Sequence, residues 1–417
     1  MAAGNPICGL FSLPGTSCSM SQSSLKSDAA VRTFQLLDFQ LGWCAPLPKM
    51  ARLIWLFLNQ AKKPLIVWGQ GIILSGAENE LKTLVEKTGI PAAWTIMGAS
   101  ALPTSHPLNV GMVGMHGNYA PNKLTNECDL LLGIGMRFDD RVTGSLDTYA
   151  KQAKIIHFEI DPAEVDKNVK TDVAVMGNVK DTLSAILPLI EKRTHHAWMK
   201  EFRDLYDIEF NEVIKDQIHA NGNGITMAET IVKLNELTGG DAVIVTDVGQ
   251  HQMVACRYSK FNNARSKVTS GGLGTMGFAL PAAIGAKMGA PDREVIAIMG
   301  DGGLQMNIQE LGTVLQTKVP VKVVVLNNQF LGMVRQWQEL FFESRYASTV
   351  MTNPDFVKIA EGYGIQSRRV KDRAELESAL KEMVEAKNSY FLEVVVEMEE
   401  IKVNSKTWMY TSVCRIK

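Results

Sequence analysis

The sequence predicts an α/β protein of two doubly wound, mostly parallel-sheet domains with irregular N- and C-terminal tails. Three observations carry this. Short apolar runs recur along the chain, each stopped by Gly, Thr or Asp; segments of helical spacing stand between them; and the pattern restarts near residue 223 after a charged stretch. A chain of 417 residues also exceeds what one hydrophobic core usually serves.

Residues 1–50 mix Ser, Gly, Pro and Cys with no sustained period and read as an irregular N-terminal segment, without the basic region of a secretory signal. MARLIWLFLNQ is amphipathic rather than lipid-spanning. KPLIVWGQG, from Lys63, is an apolar run stopped by Gly69 and Gly71, and AENELKTLVEKTG follows with helical spacing and Gly89 as its C-cap. IPAAWTI, CDLLLGIG and AKIIHFEIDPAE read as further strands, which sets a central α/β domain at residues 51–190. EKRTHHAWMKEFRDLYDIEFNEVIKDQ is charged throughout and reads as a helical linker over residues 191–222. Its His195 and His196 are adjacent, so they share no helix face as metal ligands would, and solvated surface is expected there.

The second domain is expected over residues 223–400. ITMAETIVKLNEL is helical, DAVIVTDVG is a strand ending at Asp247, FALPAAIGAKMGAP is a small-residue helix, and REVIAIMGDGG, MNIQELGTVLQ and VPVKVVVLNN form a strand, helix and strand. YFLEVVVEME reads as a last strand, and residues 401–417 as an irregular tail. In such folds ligand groups belong at the carboxyl ends of the strands.

Charge and cysteine content exclude several functions. With 43 Lys plus Arg against 44 Asp plus Glu, the net charge of -1 offers no global attraction to a nucleic-acid backbone or an anionic membrane. Cys8, Cys18, Cys44, Cys128, Cys256 and Cys414 include no CxxC pair, which fits a reducing compartment and suggests neither a zinc site nor a disulfide framework.

Chemistry gathers at GDGG. Gly300, Gly302 and Gly303 keep side chains away from a turn, Asp301 supplies the hard oxygen that magnesium prefers, and the following helix start offers free amides. The next strand ends in Asn327 and Asn328, and an amide oxygen from one of them completes a plausible set with a backbone carbonyl, two diphosphate oxygens and a water. GDG alone is a weak signal; GDG with NN closing the next strand is a much rarer pairing.

GDG at 300–302 followed by LNN resembles the metal and diphosphate motif of thiamine diphosphate enzymes. TDVGQHQM at 246–253, TSGGLGTMGFALPAAIGAKMG at 269–289, NNQFLGMVRQWQELF at 327–341, GMHG at 114–117 and RFDDRVTG at 137–144 together resemble the large catalytic subunit of acetolactate synthase, also called acetohydroxyacid synthase, over residues 52–400. The resemblance implies Asp301, Asn328 and the carbonyl of Phe330 as magnesium ligands, and Gly249, Gln250 and His251 against the diphosphate. It implies Gly274, Gly300, Gly302, Gly303 and Met333 at the same cofactor, with Met276 beneath its rings and, with Gln250, in the catalytic role. Met333, Val334, Gln336 and Trp337 resemble a substrate channel wall; for a methionine or a tryptophan, ordinary packing is the competing reading.

By the same resemblance the central domain binds FAD, with Gly69, Gly71, Met115, His116 and Gly117 as candidate flavin positions. Arg137, Asp139, Arg141, Glu159 and Asp161 join them, Arg141 also toward substrate. GQG is not a full dinucleotide fingerprint, and pairing of Arg141 with Asp139 or Asp140 is the competing reading. The implied reaction decarboxylates pyruvate on thiamine diphosphate and joins the two-carbon unit to pyruvate or 2-ketobutyrate, for branched-chain amino-acid synthesis. Implied partners are small 2-keto acids, further copies of the chain as a dimer or tetramer, and a regulatory small subunit, with no nucleic acid and no membrane. The implied location is cytoplasmic for a bacterial source and plastid or mitochondrion for a eukaryotic one.

Family members begin with a pyrimidine-binding domain that carries an activating glutamate. Here about 50 unpatterned residues precede the central domain and the C-terminal segment also diverges, so the isolated chain is expected to turn over poorly or not at all. A different thiamine diphosphate-dependent 2-keto-acid carboligase or decarboxylase, and a non-catalytic homologue that binds a full-length partner, stand as alternatives.

Overall fold

The computed structural model describes residues 47–219, 222 and 224–397. The first domain is a six-stranded parallel sheet of β1 (Pro64–Trp68), β2 (Ala92–Trp94), β3 (Asn109–Met112), β4 (Leu130–Ile134), β5 (Lys154–Glu159) and β6 (Val173–Met176), in the order β3-β2-β1-β4-β5-β6. Strands β1 and β4 lie at the centre and are buried at every residue, which is why PLIVW and LLLGI are continuously apolar rather than alternating. The expected helix after GQG runs from Glu78 to Thr88. It stops at Gly89, whose φ of 65° lets its N–H reach Val85 O at 2.9 Å.

The second sheet is also parallel and six-stranded: β7 (Val243–Thr246), β8 (Lys267–Thr269), β9 (Val295–Gly300), β10 (Lys322–Asn327), β11 (Gln366–Val370) and β12 (Tyr390–Val395), in the order β11-β12-β10-β9-β7-β8. Its first helix, Met227–Thr238, is entered through a side-chain N-cap: Thr226 Oγ1 accepts the Glu229 N–H at 3.0 Å. In each sheet the chain leaves the first strand to one side and returns on the other, opening a crevice at the carboxyl ends of β1 and β4 and of β7 and β9.

The domains share a continuous apolar core that includes Ile66 and Trp68 of the first sheet and Ile244, Ile298 and Val324 of the second. A polar seam runs beside it. Thr104 N–H donates to Phe261 O and Phe261 N–H to Thr104 Oγ1, both at 3.0 Å, and Arg265 pairs with Glu78 at 3.2 Å.

The charged segment is helical, as expected, over His196–Glu209, then passes through a π-helical turn at Phe210–Ile214 into Lys215–Ile218. It is not simply solvated, because Trp198, Met199, Phe202 and Glu209 are buried. Trp198 Nε1 donates to Pro64 O at 2.8 Å in the first domain, whereas Glu209 pairs with Arg257 of the second. Tyr258 also bonds Gln217, so this segment clasps both domains. At the amino end, residues 47–50 already belong to a helix, Leu47–Gln60, rather than to an irregular segment. The rest of the expected N-terminal segment and the 401–417 tail lie outside the described residues.

Candidate active site

Asp301 follows β9 as the first residue of a short helix, Asp301–Met306. The parallel register sets Leu326 beside Gly300, so Asn327 and Asn328 emerge next to Asp301. The aspartate is only 1% exposed. Its Oδ2 accepts from Asn353 Nδ2 at 2.7 Å and its Oδ1 from the Gly302 N–H at 3.0 Å. Burial pushes its pKa up and the Asn353 bond opposes that.

The two asparagines differ. Asn327 is enclosed, donating to Glu393 Oε1 at 2.7 Å while its Oδ1 accepts from Asn353 at 3.0 Å and from the Gln329 N–H at 3.1 Å. Asn328 turns toward the β7 loop, its Nδ2 lying 3.4 Å from Gln250 Oε1, while its Oδ1 takes the Phe330 N–H at 3.2 Å. Gln329 has φ of 60°, and Phe330 then bridges Val350 through the bonds Leu331 N–H to Thr349 O and Met351 N–H to Gln329 O. Neither bond uses the Phe330 carbonyl.

The β7 loop supplies the opposite wall. Gly249, Gln250 and His251 open the helix Gln250–Tyr258, and the His251 ring is packed so closely that a Cβ on Gly249 or on Gly300 would stand 2.8 Å from it. Burial, with the Lys267 cation second, lowers the His251 pKa to about 3, so this ring is neutral at ordinary pH. Its Nε2 is buried without a hydrogen-bond partner. Gln250 Oε1 occupies the space over Gly332, where a Cβ would lie 2.0 Å away. Met276 is half-buried with its Cε 3.7 Å from the would-be Cβ of Gly302, whereas Gly274 stands in an exposed loop.

Between the domains lies a cavity of about 830 Å³, which falls in the cofactor range of roughly 300–1,000 Å³ and at the domain boundary where such sites concentrate. Gly69, Gly71, Met115 and His116 line it, as do Arg137, Asp139, Arg141 and Glu159; Met333, Trp337 and Gly274 reach it from the second domain. Gly117 and Asp161 are not brought to it: Gly117 is buried in a tight turn where a Cβ would lie 2.4 Å from Met112 O, and Asp161 caps a short turn by accepting the Ala163 N–H at 2.9 Å. Val334 projects outward, exposed, from the helix Gly332–Phe341. Arg137 bonds Asp139 at 3.2 Å, and Arg141 comes within 4.0 Å of Asp140. The floor is a close backbone crossing: a Cβ on Gly69 would stand 2.4 Å from Gly135 O, and one on Gly71 would stand 2.6 Å from Gly135 Cα. His116 is held near a pKa of about 4 by burial first and by the cations of Arg257 and Arg141 next.

Residues 52–186 match the family described as thiamine pyrophosphate enzyme, central domain, and residues 247–394 match its C-terminal TPP binding domain. The chain belongs to the thiamine pyrophosphate enzymes. It is 41% identical over 354 residues to a probable acetolactate synthase large subunit of Methanococcus aeolicus, covering 82% of this chain and 59% of that protein. Acetolactate synthase isozyme 3 large subunit of Escherichia coli K12 is 41% identical, with 82% and 61% covered. Acetolactate synthase 2, chloroplastic, of Nicotiana tabacum is 40% identical, with 86% and 56% covered. The chain thus spans about three-fifths of the length of the relatives it matches.

For a thiamine pyrophosphate enzyme the donor set is coherent. Asp301 is a buried carboxylate bonded to neutral donors, and among the described residues no Lys or Arg side chain pairs with it. A divalent cation would supply the missing positive charge there, and the amide oxygen of Asn328 and the Phe330 carbonyl are the hard oxygens at hand. Sequence reasoning did not find Asn353, which stands in a loop with no periodic signal, nor Gly135, whose GIG turn is the counterpart of Gly69 and Gly71 across the crevice. Among the described residues no helix is long and apolar enough to cross a membrane.

Proposed function

We propose that this chain carries acetolactate synthase chemistry: loss of carbon dioxide from pyruvate and transfer of the two-carbon unit to pyruvate or 2-ketobutyrate, serving branched-chain amino-acid synthesis. The observation that carries this reading is the buried Asp301 at the end of β9, with the Asn328–Gln250 contact joining the ends of β10 and β7, in a chain 41% identical to acetolactate synthase large subunits. Thiamine diphosphate, when bound, supplies the electron sink for decarboxylation and carbon–carbon bond formation.

Asp301, Asn328 and the Phe330 carbonyl would hold its magnesium ion, with Gly249, Gln250 and His251 along the diphosphate. A neutral His251 offers a dipole there, not a competing charge. The open backbone at Gly300, Gly302 and Gly303 lets the cofactor come close, and Met276 over Gly302 gives its rings an apolar platform. Met333 and Trp337, one helical turn apart, present an apolar wall to the cavity and exclude water from it. The glycine crossing of Gly69, Gly71 and Gly135 together with Arg137 and Arg141 suits an extended dinucleotide with a diphosphate, which supports FAD as the ligand of the cavity. The relatives' name, large subunit, supports a regulatory small subunit and assembly with further copies. The chloroplastic tobacco relative supports a plastid for a plant source, and a bacterial source would place the chain in the cytoplasm.

The test is acetolactate formation from pyruvate with thiamine diphosphate, magnesium and FAD, beside the Asp301→Ala variant and a complete large subunit. Turnover that Asp301→Ala abolishes, or magnesium-dependent thiamine diphosphate binding that it abolishes where turnover is absent, supports the reading. A folded chain that neither binds the cofactor nor turns over refutes it.

A further inference from the structure

We infer that Glu393 and Arg369 are positioning residues for the divalent cation, acting through Asn327 and Asn353; the inference rests on the cation site proposed above and goes beyond its ligands. YFLEVV is apolar except for Glu393, which is 2% exposed in a strand buried along nearly its whole length. A carboxylate there must be fully bonded to be tolerated. Its Oε2 accepts from Arg369 Nε, its register partner on β11, at 2.7 Å. That pair alone would satisfy a structural role. The second oxygen, Oε1, instead takes the Asn327 Nδ2 at 2.7 Å, at the end of β10 just before Asn328 and Phe330.

The bonds then close on themselves. Arg369 Nη2 donates to Asp355 Oδ1 at 2.7 Å, and Asp355 caps the helix Phe356–Gly362 two residues after Asn353. Asn353 Nδ2 donates both to Asn327 Oδ1 at 3.0 Å and to Asp301 Oδ2 at 2.7 Å, while its Oδ1 accepts from Gln305 Nε2 at 2.8 Å. With Nδ2 engaged by Glu393, the Asn327 amide can face Asn353 only with its oxygen, and Asn353 must therefore offer its N–H groups to Asp301. The orientation of the Asp301 carboxylate is set from β12, two strands away. The group of Asp301, Asp355 and Glu393 is met by Arg369 and by Lys358, which lies 3.7 Å from Asp355, so of these the one carboxylate left without a cation among the described residues is Asp301, where a divalent cation would sit.

The test titrates magnesium into the full chain with thiamine diphosphate, read by intrinsic tryptophan fluorescence, for the wild type, Glu393→Gln and Arg369→Lys. FAD binding is the control at the other cavity, and thermal melting without ligands reports folding. Glu393→Gln is expected to raise the apparent magnesium Kd about 10-fold or more, as for partners of metal ligands elsewhere. Arg369→Lys is expected to raise it several-fold, with FAD affinity unchanged in both. Arg369→Lys keeps the charge, so it serves if Glu393→Gln fails to fold. Lower melting temperatures with an unchanged magnesium Kd would reduce the ring to a structural tie and overturn the inference. A wild-type chain with no magnesium-dependent binding would instead remove the cation site itself, and the inference with it.

Discussion

A Cβ on Gly303 would stand 1.6 Å from Oδ2 of Asp247. The two residues come from the ends of β9 and β7, and their approach closes the crevice from below. Asp247 is fully buried and its Oδ1 accepts the Phe278 N–H at 3.0 Å, at the start of the helix Ala279–Gly289. Gly303→Ala must therefore move backbone or expel the aspartate from its bond. The expected cost is about 3 kcal/mol, the upper end for an overpacked core. Urea unfolding measures it, and Asp247→Asn in the same background should not restore stability, because the clash is steric.

The crossing beneath the large cavity makes a different demand. Gly69→Ala places a methyl group 2.4 Å from Gly135 O and so wedges β1 from β4. Flavin affinity is expected to fall at least 10-fold, measured by fluorescence titration, while magnesium-dependent thiamine diphosphate binding changes little, since that site draws on the other sheet.

Acid should destabilise the protein through His251. Its folded pKa of about 3 lies below the ordinary 6.5, so between these values the unfolded chain binds a proton that the folded one refuses. Stability attributable to this residue is full above about pH 6.5 and falls as pH drops toward 3, by about 1.4 kcal/mol per unit. Denaturation midpoints measured from pH 7.5 to 5 should show at least this slope in the wild type, because His116 adds to it, and a shallower one in His251→Gln.

The clasp across the domains rests on a buried ion pair. The Glu209 side chain is 1% exposed and that of Arg257 17%, and Glu209 Oε2 also lies 3.5 Å from Asn118 Nδ2 of the first domain. Glu209→Ala strands the guanidinium and is expected to cost about 3–5 kcal/mol, whereas a paired Glu209→Met, Arg257→Met replacement should recover most of it. Chemical denaturation of the wild type, Glu209→Met, Arg257→Met and the double variant forms the cycle that decides this.

Much of this architecture was legible in the chain. The centre strands β1, β4, β9 and β10 read clearly because burial on both faces leaves no polar residue in PLIVW, LLLGI or VVVL. The GDG and NN turns read because metal chemistry restricts which residues can stand there. The edge strands β3, β6, β8 and β11 did not read, since strands of three to five residues that are only partly buried carry little pattern. Asn353 was invisible for a related reason: a single polar residue in a loop gains its meaning only from the β9 and β10 ends folded against it. The burial of Glu209 was not legible, because one buried carboxylate among many charged residues looks the same until its partner is in place.

The clasp also bears on the order in which the molecule is made. Every strand pairing in each sheet is internal to that sheet, so the first can close on the ribosome before Arg257 has been synthesised. Glu209 then stands in water with its counter-charge still to come. On that order the shared core would be completed only when the second sheet arrives, and slow synthesis between residues 209 and 257 would lengthen the interval in which the apolar face of the first domain is uncovered.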